Sequence, residues 1–487
     1  MILSGFTLKN ISGSDIQTPK QDVFDLPEKV LQFGTGVLLR ALPDYFIDKA
    51  NKKGIFNGRV VVVKSTDGGD AVSFEKQDGL YTICVRGVEN GKTIEENIVC
   101  AAISRVLSAK TEWNKVLACA HNPSFKIIIS NTTEVGIELV NEDIKSLPPS
   151  SYPGKLLAFL HERYKAFNGS KESGMVVIPT ELIVDNGKKL ESIVIELAHL
   201  NGLDNAFMDW LENSNTFCSS LVDRIVPGKP EPSIRTALQK QLGYEDELMT
   251  MCEAYRLWAI EGDKKVADVL SFAKADKGVV IANDIELFRE LKLRLLNGTH
   301  TLASGVAVLS GIKTVKDAMD DKLLSEYISD LMRKEIAIAI PYKTDPAEAD
   351  EFAMKALDRF RNAGIEHQWL SITAQYTSKM QMRIVPVLLE YFRKHKTVPQ
   401  HIALGFAAYI LFMKEGNDKD DRSAYLSDKL GSCASTSFAR VVLQDSPIWG
   451  HDLSGLPGFA DAVQEKIQEI EEQGIVVALK DLQKIPA

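Results

Sequence analysis

The stretch KVLQFGTGVLLRALPDYFIDKA, residues 29–50, sets a short apolar run, a Gly-x-Gly turn and an apolar-periodic segment in immediate succession. Lys29 to Phe33 has strand character, Gly34-Thr35-Gly36 follows directly, and Leu38, Leu39, Leu42, Tyr45, Phe46 and Ile47 keep helical spacing up to Ala50. Strand, glycine turn and helix make the opening half of a dinucleotide-binding unit, in which missing side chains let the backbone approach a pyrophosphate. The third glycine of the full fingerprint is Leu39 here, so the turn alone is an incomplete signature. Arg40, on the first helical turns, is either a phosphate partner or a surface cation.

Working outward, RVVVVK at 59–64 and FKIIIS at 125–130 read as strands buried on both faces, the pattern of a parallel sheet. The first ends in Lys64-Ser65-Thr66-Asp67. An acid at that strand end binds a ribose 2′-hydroxyl and a base accommodates a 2′-phosphate, so Lys64 and the later Asp67 leave NAD and NADP both open. The second runs into Asn131-Thr132-Thr133-Glu134, small polar groups at the carboxyl end of a parallel strand, where open α/β sheets bind ligands; a plain helix cap is the other reading. Gln77 to Gly87 alternates like a strand, Met175 to Pro179 is one more buried strand, and Thr180 to Gly187 supplies polar turn residues. Asp223-Arg224 reads as a structural clamp. After Gly278 to Ile281 strand signals fade. The prediction is an α/β chain: a Rossmann-type parallel-sheet domain over 1–285, then a mainly α-helical domain over 286–487.

Just inside the second domain lies ELKLRLLNGTHT, residues 290–301, with Lys292, Asn297 and His300 among leucines. At about 100° per residue, Asn297 lies near 140° and His300 near 80° from Lys292, so the three share one broad face. With leucines on much of the remaining surface, the trio is expected to line an internal cleft, where a dehydrated amine would be a usable general base.

The bulk numbers narrow the classes. With 487 residues there are two or three domains. A net charge of -9 offers no attraction to phosphate backbones or anionic lipid, which argues against nucleic-acid or membrane partners. Cys84, Cys100, Cys119, Cys218, Cys252 and Cys433 form no CxxC pair, consistent with a reduced protein without a thiolate metal site. The first twenty residues lack a secretory pattern. The longest apolar run, Ile402 to Met413, is short of the ~18 residues of a membrane span. A cytoplasmic protein is expected, and its oligomeric state is not legible.

Four segments together, QFGTGVLLRA, SNTTEVG, FCSSLVDRIVP and KLRLLNGTH with its Lys-x4-Asn-x2-His, resemble the polyol-specific long-chain dehydrogenases and reductases. Within that family KQDGLYT, SYPGKL and RFRNAGIEHQWLSI resemble the branch acting on hexuronates. The resemblance implies a metal-independent NAD enzyme interconverting D-altronate and D-tagaturonate, with fructuronate or mannitol-type activity as the alternative. A regulatory protein that binds nucleotide without catalysis is the reading from another class. In the family pattern Lys292 is the general acid/base, Asn297 hydrogen-bonds the developing oxyanion and His300 orients the substrate oxygen. The implied cofactor site comprises Gln32, Phe33, Gly34, Thr35, Gly36, Val37, Leu38, Leu39, Arg40, Asp67, Asn131 and Thr132. Two departures stand out: Thr180-Glu181 replaces the Asp-Asn of mannitol dehydrogenases, leaving Asn186 as the substitute donor, and Ser371 replaces an Arg of the polyol enzymes. A carboxylate in place of a terminal CH2OH would explain the second, with Lys379 and Arg383 as its candidate partners.

Overall fold

The computed structural model describes every residue except 12, 14, 66–70, 133–135, 365 and 485–487. Its strands are β1 (Glu28–Phe33), β2 (Arg59–Lys64), β3 (Tyr81–Glu89), β4 (Lys92–Cys100), β5 (Ile103–Ser108), β6 (Ile127–Ser130), β7 (Val176–Pro179), β8 (Thr216–Phe217), β9 (Ser220–Asp223), β10 (Thr250–Glu253), β11 (Leu257–Glu261) and β12 (Val279–Ala282). The chain forms two compact units, one of Met1–Arg86 with Thr93–Ile285, the other of Gly87–Lys92 with Glu286–Ala487.

In the first unit six strands lie in the order β5-β2-β1-β6-β7-β8, every neighbouring pair parallel. Strand alternation sends side chains to opposite faces. Val30, Val60, Val62, Ile127, Ile129 and Ile178 therefore enter one core with Tyr45, Phe46, Ile47 and Trp258, while Leu31, Val61, Val63, Ile128 and Val177 enter the other with Trp113, Phe159, Leu190 and Phe207. Both faces are covered, so β2 and β6 are buried at every residue, as their unbroken apolar runs require. Each such aliphatic side chain contributes roughly 1.5–3 kcal/mol of burial. The order reverses direction between β1 and β6, and that switch point opens a crevice at the carboxyl ends of the two strands. Two three-stranded sheets, β10-β3-β4 and β12-β11-β9, complete the unit.

Helices build the second unit. Gln400–Lys414 is its centre, buried along almost its whole length, so the apolar run at 402–413 is a core helix; among the described residues no helix is long and apolar enough to cross a membrane. Gly305 and Gly405 mark its close crossing with Thr299–Leu309: a Cβ at Gly305 would sit 3.2 Å from the Ala408 backbone, and one at Gly405 would sit 2.5 Å from Leu302. A second helix thus holds the His300 segment rigidly from behind. The turn Gly87–Lys92 between β3 and β4 groups with these helices, the Gly91 N–H donating to Asp358 Oδ2 at 3.2 Å. Nothing in the alternation of β3 foretold that excursion.

Candidate active site

At the sheet's switch point Phe33, Gly34, Thr35, Gly36, Asn131 and Thr132 line one cavity of about 590 Å3. Gly34 holds φ +125°, and a Cβ there would lie 3.0 Å from both Asn131 O and Leu39 Cδ1, so only glycine fits. Gly36 is different. A Cβ on it meets nothing within 4 Å, so packing does not demand glycine and the bare backbone stands open to the cavity. No described residue accepts a hydrogen bond from the N–H groups of Thr35 or Gly36. A cradle that a side chain would fill, floored by unmet donors, suits a phosphate group.

Glu181 fixes the far wall. Its buried carboxylate accepts from Thr132 N–H at 2.8 Å, Thr132 Oγ1 at 3.0 Å and Ser130 Oγ at 3.2 Å. Asn131 Nδ2 donates to Thr180 O at 3.1 Å and Thr180 Oγ1 at 3.0 Å. The Thr180-Glu181 departure thus shapes the wall below the crevice.

Several expected residues stand elsewhere. Gln32 and Leu39 are fully buried and Arg40 is 5% exposed. Arg40 is neither a surface cation nor a cavity residue: its Nη1 donates to Leu248 O at 2.5 Å and its guanidinium lies against the rings of Phe74 and Tyr81. On a helix whose first turn packs downward, position 40 points into the core. Gln32 Nε2 points inward as well, toward Asp44 at 3.4 Å. Val37 and Leu38 start the helix without lining the cavity, and Asp67 lies outside the described residues.

Asn186 is also corrected. Fully buried, its Nδ2 donates to Pro179 O, Glu181 O and Ser220 O at 3.1, 2.9 and 3.1 Å, and its Oδ1 accepts from Ser220 N–H at 2.8 Å. The amide is saturated by backbone and has no hydrogen left for a substrate. Asn186→Ala should accordingly act on stability, costing about 2–4 kcal/mol through stranded buried partners and lowering the melting midpoint. A wild-type melting curve combined with a raised KM would contradict this.

In the second unit Lys292–Gly298 is a π-helical turn, flanked by Glu286–Leu291 and Thr299–Leu309. The even 100° step of the sequence reading does not hold there. A turn closed by i→i+5 bonds holds one residue more than an α turn, and such turns concentrate at functional sites. Smaller steps bring Asn297 back toward the direction of Lys292, closer than 140°. Lys292 and Asn297 are half-buried, whereas Leu291, Leu295 and Leu296 are buried beneath them. Arg294 braces the turn: it grips Glu290 through two bonds, at 2.9 and 3.1 Å, and donates to Met382 O at 2.5 Å and Arg383 O at 3.1 Å.

His300 stacks on Phe360, centroids 4.0 Å apart, and meets His367 and Trp369 edge-on at 5.1 and 6.0 Å. As a residue it keeps slight exposure, but Nε2 is sealed from solvent and has no partner among the described residues. Burial first, then the charges of His367, Arg359 and Arg383, hold its pKa well below the usual histidine value. The ring is neutral, able to donate or accept one hydrogen bond. Arg383 donates from Nη1 to Thr301 Oγ1 at 3.0 Å and to Asn297 O at 3.4 Å. One helical turn earlier Lys379 Nζ donates to Ile372 O at 2.9 Å. Burial, then Arg383, lowers the Lys379 pKa, and burial, then Lys379, lowers that of His367. The structure therefore brings Asn297, His300, Lys379 and Arg383 into one electropositive neighbourhood. Sequence reasoning missed His367 and Arg294 there, and Tyr152 and Lys155 in the cavity; the last two sit in the SYPGKL motif, whose Ser151 caps a helix with Pro153 in its first turn.

Sheet topology and site together put the chain in the class of Rossmann-type dehydrogenases. It belongs to the mannitol dehydrogenase family: the family's Rossmann domain matches residues 28–274 and its C-terminal domain residues 284–471. Altronate oxidoreductase of Bacillus subtilis is 36% identical over 475 residues, covering 96% of this chain and 98% of that one. Its counterpart in Bacteroides thetaiotaomicron is 34% identical over 467 residues, covering 94% and 97%. Among solved structures, the ternary complex of Pseudomonas fluorescens mannitol 2-dehydrogenase with NAD and D-mannitol superposes with a TM-score of 0.65 at 21% identity, covering both chains fully. A substrate-free D-sorbitol dehydrogenase reaches 0.77 at 21% identity, covering 98% of this chain and 100% of that one. These two likenesses concern the fold.

Proposed function

We propose that this chain is an NAD-dependent oxidoreductase interconverting D-altronate and D-tagaturonate. The observation that carries the reading is the neutral His300, without a partner for Nε2 among the described residues, set near Arg383, with Lys379 one helical turn from Arg383, a place for a hydroxylated substrate that ends in a carboxylate. The curated relatives' name, altronate oxidoreductase, supports altronate as the substrate of oxidation.

Gly34, Thr35, Gly36, Asn131 and Thr132 would hold the dinucleotide, whose chemistry is hydride transfer at the nicotinamide. The second unit supplies the proton chemistry and the substrate contacts. Lys292 takes the hydroxyl proton as altronate is oxidised and returns it to the carbonyl oxygen in reduction. Asn297, whose side-chain amide no described residue engages, donates to that oxygen as negative charge develops, and His300 Nε2 makes a second fixed contact with it. Lys379 and Arg383 take the carboxylate by charge-assisted bonds.

The purified protein, assayed with NADH against tagaturonate, fructuronate and fructose, should show the highest kcat/KM on tagaturonate by at least about tenfold, a margin of ~1.4 kcal/mol in transition-state binding. A preference for fructuronate or fructose would overturn the substrate assignment, and no turnover of any of the three would overturn the enzymatic one.

A further inference from the structure

The crevice beside the Gly-x-Gly turn has a charge problem. A dinucleotide brings a pyrophosphate with two negative charges, and Arg40, the cation nearest in sequence to the turn, is folded into the core. Among the described residues lining the cavity, Lys155 is the sole cation and Glu138 the sole acid.

Lys155 is delivered there by a built arrangement. Ser151 Oγ caps the helix Tyr152–Ala166 by accepting from Gly154 N–H at 2.9 Å. Glu142 clasps the turn before it, accepting from Ser151 N–H at 3.0 Å and from Ser150 Oγ at 2.7 Å. Tyr152 leans on Phe33, centroids 5.1 Å apart, which registers this helix against the end of β1. The Lys155 side chain is 5% exposed, and its Nζ donates to Ser150 O at 2.6 Å and Ser151 O at 3.3 Å. An ammonium has three donors, and no other described residue accepts the third. Burial lowers the pKa of this amine while Glu142 opposes the shift. A dehydrated cation with one unmet donor, lining a cavity with bare backbone at Gly36, is matched to a phosphate oxygen.

We infer that Lys155 is the phosphate-neutralising residue of the crevice, an assignment resting on the reading that the crevice takes a dinucleotide. The competing role is structural, in which the amine merely ties down the Ser150-Ser151 turn. The two separate in binding measurements on the full chain that need no turnover. ADP-ribose carries the pyrophosphate and adenosine does not, so both are titrated calorimetrically or by displacement of NADH fluorescence. Lys155→Gln keeps a donor for the turn and removes the charge. It should weaken ADP-ribose by about tenfold or more, the scale of a lost charge-assisted bond, and leave adenosine within about twofold. Lys155→Arg should keep the wild-type preference for ADP-ribose, and it decides the matter if the glutamine variant does not fold. Unchanged ADP-ribose binding in Lys155→Gln, an equal loss for both ligands, or a lost preference in Lys155→Arg would each overturn the inference. Wild-type protein that binds neither ligand would instead remove the dinucleotide reading, and this assignment with it.

Discussion

Lys292→Ala is expected to lower kcat by about 10²- to 10⁴-fold, the range for loss of a positioned proton-transfer group, and to leave NADH affinity nearly unchanged. The selectivity of the loss follows from where the parts reside. The cavity of the Gly-x-Gly turn is built entirely from residues of the first unit, and Lys292 opens a π turn of the second. Truncating a half-buried lysine beside buried Leu291 and Leu295 removes little packing, so the melting midpoint should move only slightly. Steady-state kinetics and fluorescence titration on one preparation check both halves. Activity within tenfold of wild type would dismiss Lys292 as the acid/base, and a parallel loss of NADH affinity would show that it works through the nucleotide.

The next largest effect belongs to Lys379→Met. Its amine makes one described hydrogen bond, to Ile372 O, whereas Arg383 also braces Asn297 and Thr301. Lysine is therefore the cleaner probe of carboxylate recognition. Loss of one charge-assisted contact costs about 1.5–3 kcal/mol, so kcat/KM on the sugar acid should fall roughly ten- to a hundredfold, mainly through KM. Lys379→Arg should recover part of it, because a guanidinium also pairs with carboxylate. A fall carried by kcat at constant KM would assign Lys379 to the reacting centre and leave the carboxylate without this partner.

The sheet was legible because burial on both faces leaves a plain mark: RVVVVK and FKIIIS have no polar side to show, and their alternate residues do enter two different cores. The crevice was half legible. Glycines announce a turn, yet the difference between Gly34, locked by φ and contact, and Gly36, open to space, is a matter of coordinates. Arg40 and Asn186 show why polar residue type misleads near a site. A guanidinium that can reach a carbonyl and two rings, or an amide that can meet three carbonyls and an N–H, is stable inside. Sequence spacing carries no sign of those long-range partners, some 200 residues away for Arg40. Lys155 was hidden for the opposite reason: its cavity role depends on a helix reached only after the long segment that follows β6.

The π turn has a consequence for how the chain tolerates change in length. Its one supernumerary residue sets the angular offset between the amine at 292 and the groups at 297 and 300. Loss of the Arg294 codon would let the backbone relax into ordinary α-helix with every leucine still present, at the cost of the bonds to Glu290, Met382 and Arg383. Because four α-helical residues turn the chain about as far as five π-helical ones, that same loss would leave Lys292 pointing in nearly its present direction relative to the downstream residues. A protein whose catalytic groups stay in line but lose their brace is the form such a frameshift-free deletion would take.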